Sequence, residues 1–305
     1  MQQLPLRMPA ALGSISADLK LGAHGLRTHS SQHLNEDLGS EPFGGINMRP
    51  NGLHSVWDAD KYALNAWLSI GSSYSAEVIA NLPYDAVTVD LQHGMFDFDT
   101  ALVMLQAISA TNAVPMVRVS HNTGWMIQKL LDMGAYGVIC PMIDTRADCE
   151  AFVRSMRYPP TGDRSFGPSR GLLYGGGDYA AHADETVLAW AMIETEAAIE
   201  NLNDIVSVDG LDGIYIGPSD LSMTLDGKIT NPLSPRVTEV IDLVIAAAHA
   251  NKKRVGIFCP DAKFAREMIE KGCDLVTVMN DAGLVRQATS ALIKDLESAK
   301  RVAAR

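Results

Sequence analysis

Basic residues are in short supply. Lysine and arginine number 25 against 36 acids, a formal net charge of −11 over 305 residues. That balance argues against nucleic acid or an anionic membrane surface as the main partner, because both reward basic patches. No stretch approaches the ~18 consecutive apolar residues of a membrane-crossing helix. Only four cysteines occur, Cys140, Cys149, Cys259 and Cys273, with no CxxC pair among them. In a chain this long they read as reduced thiols of a cytoplasmic protein, not as a disulfide scaffold. The opening MQQLPLRMPAALGSISADLK has no sustained apolar core, so a secretory signal is not expected. The acids Asp18, Glu36, Asp37 and Glu41 speak against a transit peptide.

What is present is the ordinary mixture of a soluble globular enzyme, 47% hydrophobic and 20% charged. Residues 1–47 are rich in Gly, Ser, His and Asn and show no sustained period, so they read as a flexible extension. Met48 opens the patterned part, and 48–305 reads as one domain. From there short apolar runs alternate with amphipathic stretches. The runs are 66–70, 86–90, 114–119, 137–141, 189–193, 213–217, 254–258 and 274–279. They lack polar/apolar alternation, as strands covered on both faces should. Helical spacing is predicted between them at 98–112, 123–135, 238–252 and 261–273, with Gly134 a C-cap. Strand then helix, repeated through about 250 residues, predicts an α/β fold of the (β/α)₈ TIM-barrel kind. The rival, a doubly wound open sheet, usually has fewer strands, and no GxGxxG follows the first run. Residues 157–178, RYPPTGDRSFGPSRGLLYGGGD, form a long Gly/Pro-rich connection with Arg157, Arg164 and Arg170. A loop of that length is expected to be functional and to cover the active face.

Barrel enzymes carry their chemistry at the C-terminal ends of the strands. The polar residues there are Asp90, His93, Arg118, Glu194, Ser219 and Asp220, with Ser69, Asp144 and Asn280 as weaker candidates. Glu194 and Asp220 lie one βα unit apart. Two such carboxylates suit a hard dication or an acid/base pair. They equally suit two solvated or helix-capping acids, since both open good helix starts. Asp90 stands three residues before His93, so it can hold one ring nitrogen and leave the other as a base. His121 is a competitor for that role. Arg118 interrupts an apolar strand, which is costly unless it faces a polar mouth or an ion-pair partner. Gly217-Pro218-Ser219-Asp220 ends a strand and begins a helix, so its amides can bind a carboxylate or phosphate.

These residues sit in motifs that resemble the HpcH/HpaI aldolase family: VDLQHG (89–94), PMVRV (115–119), KLLDMGAYGVICPM (129–142), RYPPTGDRSFGP (157–168), MIET (192–195) and DGIYIGPSDLS (212–222). The resemblance runs from about residue 48 to 300. It implies a carbon–carbon lyase of the aldehyde-lyase class that cleaves a 2-keto-4-hydroxy acid reversibly to pyruvate and an aldehyde. A divalent cation (Mg²⁺, Mn²⁺ or Co²⁺) would hold the 2-keto acid and stabilise its enolate. On the same grounds Glu194 and Asp220 are the metal ligands, and Asp90 and His93 a dyad acting on a base water. Arg118 is the cation at the keto oxygen. Asp132 resembles an aspartate that family members insert into a neighbouring subunit's site. Gly217, Pro218 and the Ser219 and Asp220 amides hold the carboxylate. The resemblance also implies a cytoplasmic enzyme, a role in catabolism of aromatic compounds, and a hexamer built as a trimer of dimers exchanging the last barrel helix. Gln92 departs from the pattern, since many members have Glu there. CoA-ester lyase, oxaloacetate decarboxylase and a non-catalytic barrel are the alternatives.

Overall fold

The computed structural model of the chain describes residues 47–297. The extension expected over 1–47 falls outside it except for Asn47, as do residues 298–305. Strands β1 (Ala63–Leu68), β2 (Ala86–Asp90), β3 (Val114–Arg118), β4 (Gly137–Cys140), β5 (Leu188–Ile193), β6 (Gly213–Ile216), β7 (Arg254–Cys259) and β8 (Leu275–Val278) pair in parallel, each with the next. β8 returns to β1, so the sheet closes on itself as a barrel. The closed ring is the expected (β/α)₈ architecture. It explains the missing alternation: β2, β3, β4, β5 and β6 are buried along their whole length, with core on the inside and helices on the outside.

The helices begin where the chemistry of capping says they should. The helix after β4 (Arg146–Met156) starts at Thr145, whose hydroxyl and Asp148 form a reciprocal capping box. The helix before β7 (Pro235–Ala250) starts at Ser234 with Pro235 in its first turn. The helix 124–132 stops at Met133, and Gly134 takes φ +96°, a left-handed turn that suits glycine. Inside the ring the packing is not wholly apolar. The Asn65 amide bridges the hydroxyls of Thr88 and Thr277, and the Tyr215 hydroxyl donates to Thr277 at 2.7 Å.

The 157–178 connection is not where it was expected. It leaves the end of Arg146–Met156 and leads into β5, so it lies at the N-terminal ends of the strands, opposite the mouth. Arg157 is buried there. It donates to the carbonyls of Val187 (2.7 Å) and Gly210 (2.8 Å) and to the Asp212 carboxylate (2.7 Å). Arg164 pairs with Asp132 at 2.8 Å and with the Tyr179 hydroxyl at 3.0 Å, and Arg170 donates to the Met133 carbonyl at 2.7 Å. Part of the segment is helical (Arg170–Gly175). Arg157 and Arg170 thus satisfy carbonyls where strands and a helix end, and Arg164 ties the segment to Asp132 and Tyr179. Arg157→Ala should therefore lower stability by about 1–3 kcal/mol, because it strands the buried Val187 carbonyl and leaves Asp212 with the Ala189 amide alone. Chemical denaturation checks this, and an unchanged midpoint would contradict the structural role.

Candidate active site

Ring closure brings the strand C-termini together around a cavity of about 270 Å³. Asp90, His93, Arg118, Gly217, Ser219 and Asp220 all line it, as does the weaker candidate Asn280. His121 and the lysines do not. Asp90 and Arg118 are register partners at the ends of β2 and β3, so both side chains point to the same side. They form a side-on ion pair: Nε donates to Oδ1 at 2.8 Å and Nη2 to Oδ2 at 2.6 Å. Both alternatives weighed for Arg118 are thus met at once, a mouth residue that is also paired.

Asp90 is almost completely enclosed. Oδ2 also accepts from the Trp67 indole at 3.0 Å, and Oδ1 from the amides of Gln92 (3.0 Å) and His93 (3.3 Å). Burial alone would raise its pKa, but the Arg118 and Trp67 donors outweigh burial and hold the carboxyl below its ordinary value. Asp90 therefore reaches the backbone of His93 rather than its ring. The expected Asp–imidazole contact is replaced by a turn that fixes where His93 sits. The His93 side chain itself is exposed at the rim. Gln92 keeps a buried side-chain oxygen without a partner.

Glu194 lies behind the cavity wall at the end of β5, only 2% exposed. One oxygen accepts from the Met142 amide at 2.9 Å. Met142 holds φ +55°, a left-handed conformation rare for a residue with a side chain, and so aims that amide inward. The other oxygen lies against Gly217, where an added Cβ would come within 2.7 Å of it. Burial first, and then the charge of Asp220, push the Glu194 pKa up to about 7 despite the Met142 bond and the charge of Arg118. Neither acid is the capping residue itself, Glu194 is not solvated, and Asp220 is an exposed first-turn acid. The helix after β5 is capped by Thr195, and the helix 218–226 by Gly217, with Asp220 inside its first turn. That helix makes its first amide bond from Leu221 to Gly217, leaving the Ser219 and Asp220 amides ahead of it.

No group of three or more His, Cys, Asp or Glu suited to a metal occurs among the described residues. The donor set at the mouth is two carboxylates. It fits a hard divalent cation that completes its shell with substrate and water oxygens. Burial and, after it, the Asp220 carboxylate disfavour the charged form of Glu194, and a dication held by both acids would favour it. Asp132 does not join this group within the chain. It ends the helix 124–132 at the opposite end of the barrel, paired with Arg164. Trp67 and Met142 were not foreseen. Trp67 sits in an apolar run that reads as core, and the turn at Met142 has no signal in the sequence.

A sequence model described as "HpcH/HpaI aldolase/citrate lyase" matches residues 64–288. A hydroxypyruvate/pyruvate aldolase from Rhizorhabdus wittichii is 42% identical over 80% of this chain and 98% of its own. A 5-keto-4-deoxy-D-glucarate aldolase from Escherichia coli is 32% identical over 80% of this chain and 95% of its own. The crystal structure of an HpcH/HpaI aldolase/citrate lyase family protein from Burkholderia cenocepacia superposes with a TM-score of 0.76 at 30% identity, covering 81% and 98% of the two chains.

The Glu194 environment makes a pH prediction for the protein without metal. A folded pKa of about 7, above the ordinary 4.5, means the fold favours the neutral acid. Its contribution to stability is present below 4.5 and lost as pH rises through 7. Glu194→Gln keeps an acceptor for Met142 and carries no charge. In EDTA its melting temperature should match the parent's near pH 5 and exceed it at about pH 8. A less stable variant at the higher pH would mean that the charged form is already balanced by the fold.

Proposed function

The chain belongs to the HpcH/HpaI aldolase/citrate lyase family, and we propose that it is a divalent-metal-dependent carbon–carbon lyase releasing pyruvate, or a close 2-keto acid, and an aldehyde from a 2-keto-4-hydroxy acid. The observation that carries this reading is the buried Glu194 carboxyl, pushed toward neutrality by burial and by Asp220, lying just behind the wall of the cavity that Asp220 and Arg118 line. The aldolase names of the relatives support the substrate class.

Glu194 and Asp220 would hold the cation, which when bound supplies Lewis acidity at the keto oxygen. Arg118 adds a second positive charge at that oxygen as it gains charge in the transition state. The Ser219 and Asp220 amides, at the start of a helix, bind the substrate carboxylate. In cleavage His93 accepts the C4-hydroxyl proton through a water. The C3–C4 bond breaks, its electron pair stays on C3 as the enolate, and C4 leaves as the aldehyde. C3 then takes a proton to give pyruvate. A positioned base of this kind contributes roughly 10²–10⁴-fold. Lysine chemistry is not invoked, since no lysine lines the cavity.

The family resemblance also supports a cytoplasmic hexamer arranged as a trimer of dimers. The last described helix, Asp281–Glu297, supports this physically: Val285, Leu292 and Leu296 are 58%, 65% and 74% exposed along it. In such an assembly Asp132 of one copy would serve the mouth of another. No helix among the described residues is long and apolar enough to cross a membrane.

EDTA should abolish aldol cleavage, and Mg²⁺, Mn²⁺ or Co²⁺ should restore it. Full activity in chelator would end the metal reading. His93→Ala should lower kcat by about 10²-fold or more and leave pyruvate affinity nearly unchanged. Assays with a free hydroxy keto acid, oxaloacetate and a CoA ester separate the aldolase from the decarboxylase and the CoA-ester lyase. Turnover of the CoA ester alone would replace the proposal.

A further inference from the structure

The mouth contains one aromatic side chain whose position is not explained by packing alone. Trp67 is the penultimate residue of β1 and is 3% exposed. Its indole N–H donates to Asp90 Oδ2 at 3.0 Å. Its ring lies 4.7 Å from the Arg118 guanidinium carbon, which sits over its face. Tyr215 and Phe258 hold the ring in turn, with centroids at 5.5 and 5.9 Å. One side chain therefore touches both members of the ion pair, the acid through an edge and the base through a face. A guanidinium held only at one edge can still swing about that edge. Contact across its face removes the swing. The Asp90 pairing engages Nε and Nη2, leaving Nη1 as the nitrogen that Asp90 does not use, on a side chain that lines the cavity.

We propose that Trp67 is a positioning residue: by bonding Asp90 and stacking on Arg118 it keeps the Arg118 Nη1 edge aimed at the oxygen that gains charge during reaction. The inference rests on the aldolase reading for the identity of that oxygen. It does not rest on it for the geometry. Its effect is transmitted through Arg118, so its loss is felt in the transition state more than in substrate binding.

Replacing Trp67 by 3-benzothienylalanine keeps ring size, shape and stacking and removes only the N–H. With metal and a hydroxy keto acid, kcat should fall about tenfold while KM stays within about twofold, as expected for losing one hydrogen bond to a charged group. Trp67→Phe should fall further. A benzothienyl variant with parental kcat, or one changed only in KM, would overturn the proposal. A second measurement does not need turnover. The Trp67→Phe spectrum identifies the Trp67 indole ¹H–¹⁵N resonance in the labelled parent protein. That resonance should be protected from solvent exchange and should shift in Asp90→Asn and in Arg118→Lys. An indole resonance that exchanges freely and ignores both changes overturns the proposal even if the parent shows no aldolase activity. Absence of parental activity by itself counts against the functional reading alone.

Discussion

The mouth of this barrel is organised around a single charge contact, the side-on pairing of Asp90 with Arg118 across two adjacent strand ends. Left unpaired, either group would be costly at this depth, since both side chains are nearly buried. Joined, they become a rigid polar corner. Asp90 then spends its remaining acceptor capacity on the turn that carries His93 and on Trp67. The Asp90 carboxyl is thereby committed to holding others in place. Arg118 keeps an unshared side and His93 keeps its ring exposed, and these are the groups left to meet a substrate.

Across the cavity the opposite arrangement holds. Glu194 is buried with one backbone donor and an acidic neighbour, so its charge is unbalanced by the protein. Among the described residues Asp90 has a cation paired with it, whereas Glu194 has a backbone amide and an acid for neighbours. The asymmetry is set by the fold: β2 has a cationic register partner on β3, whereas the residues that pair with β5 near its end, on β4 and β6, are apolar.

The barrel was legible because each buried strand carries its own local signal. Ala86–Asp90 is a run of β-formers that ends on the functional acid, and it is a strand over just those residues. β1 starts three residues earlier than its apolar run suggests, because Asn65 looks like an interruption. Its partners Thr88 and Thr277, which make a polar side chain acceptable inside the ring, are distant in sequence. The same distance hid the true partner of Asp90. His93 is three residues away and Arg118 is 28, and only closure of the strands shows which is engaged. The 157–178 segment misled for another reason. Glycine, proline and arginine mark both ligand loops and tight repairs of exposed helix ends, and composition does not distinguish the two. Counting which leg of the βα unit the segment occupies does, since the connection into a strand must lie at its entry end.

Gly217 has a consequence for how such a gene drifts. Every missense change in a glycine codon adds at least one carbon, and at this position that carbon would arrive within 2.7 Å of a Glu194 oxygen. Even alanine or serine, ordinarily the mildest of replacements, would make the Glu194 carboxyl shift from where the Met142 amide holds it. A lineage exploring new substrates can remodel the rim freely, but at this codon each step is felt by the buried acid.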